Sequence, residues 1–326
     1  MVFRRKKYYY GEVSDHFDGE SFFFPDKPYH FDIKAVLKWR LFTRRTIWPK
    51  HVAVKPALDP VSRVHGKIRV TYIGHATLLI QTSGLNILTD PHFSHRAGPL
   101  RWIGPKRIQE PGLHLERLPP IDVVFVSHNH YDHLDIPSLR RIWRRDRPLI
   151  VTPLGNDTII RRRIDSKMDI KTLDWGEEMQ LGVGATLKLL PCQHWSGRTI
   201  RDYNRALWGA AYMCFEEHSV LFVGDTGFSA SLFKQMRAMM KRTPDVIALP
   251  IGCYEPHSIT GYSHMSPEQA WEAFNLLEGE KLLPTHYDVF PLANEPYGEA
   301  LERLKRAAGL HLRCVLPLRV GEHAEL

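Results

Sequence analysis

Cysteine is scarce in this 326-residue chain, and the four present, Cys192, Cys214, Cys253 and Cys314, stand far apart with no C-x-x-C pair. That argues against a disulfide-stapled scaffold and a thiolate zinc or redox motif, and fits a reducing compartment. Long apolar runs are missing too: no uninterrupted stretch reaches the roughly 18 residues needed to cross a bilayer. The basic opening Arg4-Arg5-Lys6-Lys7-Tyr8-Tyr9-Tyr10 runs into Gly11-Glu12-Val13-Ser14-Asp15, where a signal peptide would carry its apolar segment. A cytoplasmic location is expected. Acidic residues are outnumbered, 36 against 44 Lys and Arg, giving a net charge of +8. Such a field favours anionic partners, whether phospholipid, nucleotide or nucleic acid, without choosing among them.

What is present is enough for a large core, since 43% of the residues are hydrophobic. Residues 1–65 read as a basic and aromatic extension packing on a domain that spans 66–326. Short β-rich runs are expected at 68–73, 76–81 and 85–89, then at 149–152, 186–190, 210–215, 219–223, 246–250 and 281–284. Helical patterns cover 136–146, 230–241, 267–277 and 295–308, and a Pro-, Gly- and Arg-rich loop covers 91–120. Strands mixed with helices in both halves predict an αββα sandwich, two mixed β-sheets covered by helices.

Histidine is abundant, with 18 residues, and three fall in the segment Ser127-His128-Asn129-His130-Tyr131-Asp132-His133 directly after the apolar run Val123-Val124-Phe125-Val126. Imidazole and carboxylate donors at the end of a buried strand suit a catalytic metal centre with an open position for water. His128 and His130, two apart, project the same way from extended chain, while Asp132 and His133 on the following turn can face a second ion. Four residues cannot saturate two ions. His194, Asp225 and His286 each stand just beyond another apolar strand and complete the set. The expected allocation is His128, His130 and His194 on one ion, Asp132, His133 and His286 on the other, and Asp225 bridging. Zinc is the expected metal, with iron or manganese accepting the same donors.

These residues resemble the metallo-β-lactamase superfamily, and within it the branch of N-acyl-phosphatidylethanolamine-hydrolysing phospholipases D. The narrower resemblance rests on Gly74-His75-Ala76, Leu88-Thr89-Asp90-Pro91, Gly104-Pro105-Lys106-Arg107, Leu118-Pro119-Pro120-Ile121-Asp122, Gln193-His194-Trp195, Leu207-Trp208-Gly209, Gly224-Asp225-Thr226-Gly227, Pro250-Ile251-Gly252, Tyr254-Glu255-Pro256, His264 and Leu292-Ala293-Asn294-Glu295. It covers roughly residues 70–308. The resemblance implies the αββα fold, a dinuclear centre and phospholipase D type hydrolysis of N-acyl-phosphatidylethanolamine or a related phospholipid. Asp90 is expected to accept a hydrogen bond from the non-ligating nitrogen of a metal-bound histidine. Asp132 or His264 would manage the proton, and His75, Tyr254 and Glu255 would face substrate.

The alternatives are another hydrolase on the same fold, acting on sugar lactones or nucleic acids, or a non-catalytic membrane or nucleic-acid binding module. No specific nucleic-acid partner is expected. Peripheral contact with a membrane would fall to the basic aromatic N-terminus. The arginines of 140–145 and 161–163 would form further surfaces for anionic lipid.

Overall fold

Side chains alternate between the two faces of a strand, and here both faces of the early strands are apolar. In the computed structural model, which describes residues 7–27, 32–43, 46–57 and 60–326, Leu78 and Ile80 enter one hydrophobic cluster while their neighbour Leu79 enters another. Val123 and Phe125 divide from Val124 in the same way. The strands carrying them therefore need cover on both sides, from a second sheet and from helices.

The first sheet contains β1 (Arg69–Gly74), β2 (Thr77–Thr82), β3 (Leu85–Thr89), β4 (Val123–Phe125), β5 (Leu149–Pro153) and β6 (Ile170–Leu173). The second contains β7 (Glu178–Gly182), β8 (Ala185–Leu190), β9 (Ala210–Cys214), β10 (Ser219–Phe222), β11 (Val246–Pro250) and β12 (Lys281–Thr285). The last strand, β13 (His323–Glu325), returns to pair with β1, so the orders are β13-β1-β2-β3-β4-β5-β6 and β12-β11-β10-β9-β8-β7. Both sheets are mixed: β3 through β6 run parallel, as do β10, β11 and β12, and the remaining pairs are antiparallel. The main core joins the sheets, with the Phe125 and Phe222 rings edge to face at 6.1 Å. This is the αββα sandwich that the sequence predicts.

Parallel neighbours need crossovers, and helices supply all but that between β3 and β4, while two further helices precede β1 and follow β12. The helices are α1 (Ile33–Phe42), α2 (Ile136–Asp146), α3 (Asn156–Arg163), α4 (Ala230–Met239), α5 (His257–Thr260), α6 (Pro267–Leu277) and α7 (Glu299–Ala308). α2 buries Leu139, Ile142 and Trp143 in the second cluster. Pro137 in its first turn is preset for helix, and left-handed Arg147 ends it. α6 starts on a reciprocal pair, Ser266 accepting from Gln269 N while the Gln269 side chain accepts from Ser266 N. The final helix begins at Glu299 rather than at the expected 295, because buried Glu295 uses Oε1 to accept from Cys253 N at 2.6 Å.

Described residues before 66 pack against the rest of the chain. Phe17, Phe22 and Phe24 are buried in the main core. Tyr8 is buried as well and donates its hydroxyl to Asp202, so it is not an interfacial aromatic free to enter a bilayer, whereas Tyr10 is 75% exposed. Arg4, Arg5 and Lys6 of the expected membrane segment lie outside the described residues.

Candidate metal centre

The donors gather where strands of both sheets end. Asp90 and His128–His133 follow β3 and β4 of the first sheet, while His194, Asp225 and His286 follow β8, β10 and β12 of the second. Left-handed backbone turns several of these residues inward: His75, Asp90 and His286 have φ of 58°, 35° and 61°, values that non-glycine residues adopt at a cost and chiefly at functional sites. Gly224 (φ 68°) is required twice over, since a Cβ there would also lie 2.7 Å from the Cβ of Ser127. That close approach is what lets Asp225 meet the histidine turn.

Two four-donor groups result, and a smaller one, Asp225, His264 and His286, runs between them. His128, His130, His194 and Asp225 form one, and His75, Asp132, His133 and His286 the other; within each, the ligand atoms lie within 4.8 Å of one another. Asp225 touches both. Its Oδ2 is 3.6 Å from His194 Nε2 and 3.8 Å from His128 Nε2 on one side and 3.2 Å from His133 Nε2 on the other, while Oδ1 is 3.2 Å from His286 Nε2.

Hydrogen bonds on the far side of each ring show which nitrogens face inward with lone pairs. Asp90 accepts from Ser127 N at 2.7 Å and Ser127 Oγ at 2.6 Å, leaving that hydroxyl oxygen as acceptor for His128 Nδ1 at 2.9 Å. His194 Nδ1 donates to Ser263 O at 3.0 Å. His128 Nε2 and His194 Nε2 are then both bare lone pairs, 2.9 Å and 3.2 Å from His130 Nδ1. His133 Nδ1 is 2.6 Å from Asp90 Oδ2, which turns its Nε2 toward Asp132 at 3.4 Å and Asp225 at 3.2 Å. Convergent lone pairs and carboxylate oxygens repel unless a cation sits among them, so the residues fit a dinuclear metal site.

The two sides of the site differ in charge: one is neutral, and on the other a cation would take the place of protons on His133 and His286. Burial, reinforced by neighbouring imidazoles, holds His128 and His194 well below the ordinary histidine range, and burial takes His130 down to about 4. These three are neutral donors. Burial also opposes charge on His133 and His286, but Asp225 and Asp132 outweigh it, raising His133 well above the ordinary value and His286 to about 9. Against the same burial, the facing imidazoles keep Asp132 and Asp225 ionised.

The centre opens into a cavity of about 850 Å³. His130, Asp132, Asp225 and His264 form its reactive end, Val36, Trp39, Ile259 and Leu292 give it apolar walls, and Arg198, Arg201 and Arg205 give it positive ones. His264 Nδ1 is buried, has no hydrogen-bond partner among the described residues, and lies 4.0 Å from Asp225 Oδ2. Three residues expected to face substrate do not border this cavity. His75 is 1% exposed with Nε2 3.0 Å from Asp132 Oδ2, so it braces that carboxylate. Tyr254 is buried against Arg303 and donates to Glu299 at 3.3 Å, and Glu255 pairs outward with Arg303 at 3.9 Å. The cavity contact from that segment is Cys253, turned inward by its left-handed backbone. Sequence reasoning also missed Ser127 and Arg198; Ser127 stood in the histidine motif, but its partner Asp90 is 37 residues away.

The arginine runs are largely committed within the protein. Arg140 donates to Arg163 O, Arg141 pairs with Glu116, Arg145 binds Leu115 O, Pro119 O and Asp146, and Arg161 donates to Met168 O.

The beta-lactamase superfamily domain pattern matches residues 85–287, which include every ligand in the two groups except His75. The chain belongs to the metallo-β-lactamase superfamily. It is a metal-dependent hydrolase of that superfamily. It is 33% identical over 286 residues to N-acyl-phosphatidylethanolamine-hydrolyzing phospholipase D 1 of Caenorhabditis elegans, covering 82% of this chain and 80% of that protein. A metal-dependent hydrolase of Methanopyrus kandleri is 28% identical over 267 residues, covering 79% of this chain and all of that one. Among solved structures, the superfamily fold is shared with isothiocyanate hydrolase from Delia radicum gut bacteria, at a TM-score of 0.61 and 20% identity over 78% of this chain and 98% of that one.

Proposed function

We propose that the protein is a zinc-dependent phosphodiesterase of phospholipase D type, acting on N-acyl-phosphatidylethanolamine or a related phospholipid. The observation that carries this reading is the two-sided ligand set, joined by Asp225, at the reactive end of a large cavity that is apolar on some walls and cationic on others. Acyl chains suit Val36, Trp39, Ile259 and Leu292, and a phosphodiester suits the wall that carries Arg201, with Arg198 and Arg205 held behind it by Asn129, Leu134 and Glu20. The likeness to the Caenorhabditis elegans phospholipase supports the same substrate class.

His128, His130 and His194 would hold one zinc ion, Asp132, His133 and His286 the other, and Asp225 both; bound there, the pair lowers the pKa of a shared water and neutralises phosphoryl oxygens. Attack of water oxygen at phosphorus breaks the bond to the N-acylethanolamine oxygen and leaves phosphatidic acid. Asp132 is occupied by His75, His133 and His286, all within 3.4 Å. His264 borders the cavity with an unpartnered nitrogen and is the group placed to pass a proton to the leaving oxygen.

The cavity is bordered by segments with exposed apolar residues. α1 contributes Val36 and Trp39 to its wall and continues into exposed Leu41 and Phe42; Ala97 and Pro105 flank a loop that exposes Trp102. Lys34, Lys38 and Arg101 are exposed on the same segments. This combination supports peripheral contact with a lipid surface. The deciding experiment is a panel of N-acyl-phosphatidylethanolamine vesicles, sugar lactones and nucleic acids offered to zinc-loaded protein, with released N-acylethanolamine measured directly. Release from the vesicles alone is expected; turnover confined to a lactone or nucleic acid would replace the lipid reading.

A further inference from the structure

The superfamily pattern begins at residue 85, yet one wall of the cavity is held from much earlier in the chain. Loop 196–206 brings Arg198, Thr199, Ile200, Arg201, Tyr203 and Arg205 to that wall. Its internal brace is Asp202, whose Oδ1 accepts from Arg198 N at 3.0 Å, Thr199 N at 2.6 Å and Thr199 Oγ1 at 2.9 Å. The other oxygen, Oδ2, accepts from the Tyr8 hydroxyl at 2.9 Å, across 194 residues of sequence. Both side chains are buried, Tyr8 at 7% exposure and Asp202 at 1%. Burial, with Asp202 reinforcing it, pushes the Tyr8 hydroxyl above its ordinary pKa, so it stays a donor.

Tyr8 is itself anchored. Its carbonyl accepts from Thr158 Oγ1 of α3 at 3.0 Å. Further along the same segment, Phe22 N donates to Asn204 O at 2.8 Å, and Arg205 donates to Glu20 through both its carbonyl and its carboxylate. On the opposite side the loop grips the ligand turn. Gly197 N donates to Asn129 Oδ1 at 2.7 Å, and Arg198 donates to Asn129 O at 2.9 Å and Leu134 O at 2.8 Å while its guanidinium lies 3.9 Å from the centre of the Tyr131 ring. Buried hydrogen bonds therefore run from Tyr8 through Asp202 and Arg198 to the backbone on both sides of His130, Asp132 and His133.

We propose that Tyr8 is a positioning residue for the hydrolase: through Asp202 it fixes loop 196–206 against the ligand turn and keeps the substrate cavity in shape. Phenylalanine would fill the same space but take away one of the donors that Asp202 relies on. A buried carboxylate that loses such a donor is costly to keep dry, so the loop would move toward solvent. The proposal rests on metal-dependent hydrolysis and, for vesicle substrates alone, on the phospholipase reading.

The test compares full-length, zinc-loaded wild type with Tyr8→Phe, Asp202→Asn and the double variant. Expected for Tyr8→Phe are tryptic cleavage after Arg201 about tenfold faster, a KM for bis(4-nitrophenyl) phosphate raised about fivefold, and kcat within about twofold of wild type. Zinc content should be unchanged. The double variant should be no worse than the more affected single one, because both remove the same bond. Should Asp202→Asn fail to fold, Tyr8→Phe decides alone. Unchanged cleavage and KM overturn the proposal, as does a parallel fall of melting temperature, zinc content and kcat at constant KM, which is the signature of general destabilisation. If wild type leaves N-acyl-phosphatidylethanolamine vesicles intact, the lipid reading fails by itself, and cleavage after Arg201 still decides the role of Tyr8.

Discussion

At the scale of single residues, Asp225 is the member of the site whose loss reaches furthest, because its two oxygens face both donor groups. Asp225→Ala should release both ions, while His194→Ala should mainly weaken one; metal analysis after exhaustive dialysis checks the difference. Asp90→Asn should cost about 10- to 100-fold in zinc affinity, because Asp90 fixes the ring of His133 and, through Ser127, that of His128. His264→Ala should retain both ions and lose at least about tenfold in kcat, equivalent to about 1.4 kcal/mol. Steady-state kinetics beside metal analysis separates the two effects. The positions of His128, His130, Asp132, His133, His194, Asp225 and His286 were legible because each follows an apolar strand. His75 follows a strand as well, but the contact that defines it is with Asp132, 57 residues away, and no local pattern encodes that distance. Tyr254 and Glu255 lie away from this cavity, and their partners Glu299 and Arg303 belong to α7, a distance that no local pattern encodes either.

At the scale of elements, burial on both faces made β2, β3, β10 and β11 readable as hydrophobic runs, and turn residues marked their ends. By contrast β7 alternates between exposed and half-buried positions, and α3 ends in Arg161, Arg162 and Arg163, so charge concealed a helix that buries only Asn156, Ile159 and Ile160. The segment before residue 66 hides its structure differently. Its aromatic residues have no period, yet Phe17 and Phe22 enter the core, and His16, held by neighbouring Asp15 at 2.5 Å, fastens the segment to Asp174 at 2.7 Å with its ring stacked on Trp175. Burial disfavours charge on His16, but hydrogen bonds from Asp174 and Asp15 outweigh it and raise its pKa. A raised folded-state value means stabilisation that is complete below the unfolded pKa of about 6.5 and is lost as pH climbs through the folded value. His16→Gln should therefore lower the melting temperature at pH 6, by roughly 2 °C given partial solvent screening, and the difference from wild type should shrink as pH rises. Calorimetry across that range measures it.

At the scale of the whole molecule, no helix among the described residues is long and apolar enough to cross a membrane; the peripheral lipid contact proposed above would use the surface around the cavity. Trp102, 64% exposed, and Phe42, 81% exposed, are expected to carry it. Trp102→Ser with Phe42→Ser should reduce sedimentation with anionic vesicles and hydrolysis of vesicle lipid, leaving turnover of bis(4-nitrophenyl) phosphate unchanged. Added salt should weaken the remaining attraction. The placement of donors at strand ends of opposite sheets has a mechanical meaning as well. Asp132 and His286, separated by 154 residues, would share one ion, and Asp225 would tie that ion to its neighbour. Metal ions held there would act as rivets between two halves that otherwise adhere through side-chain packing. Chelation should lower the melting temperature while the calorimetric transition stays single, because one core still joins the two sheets.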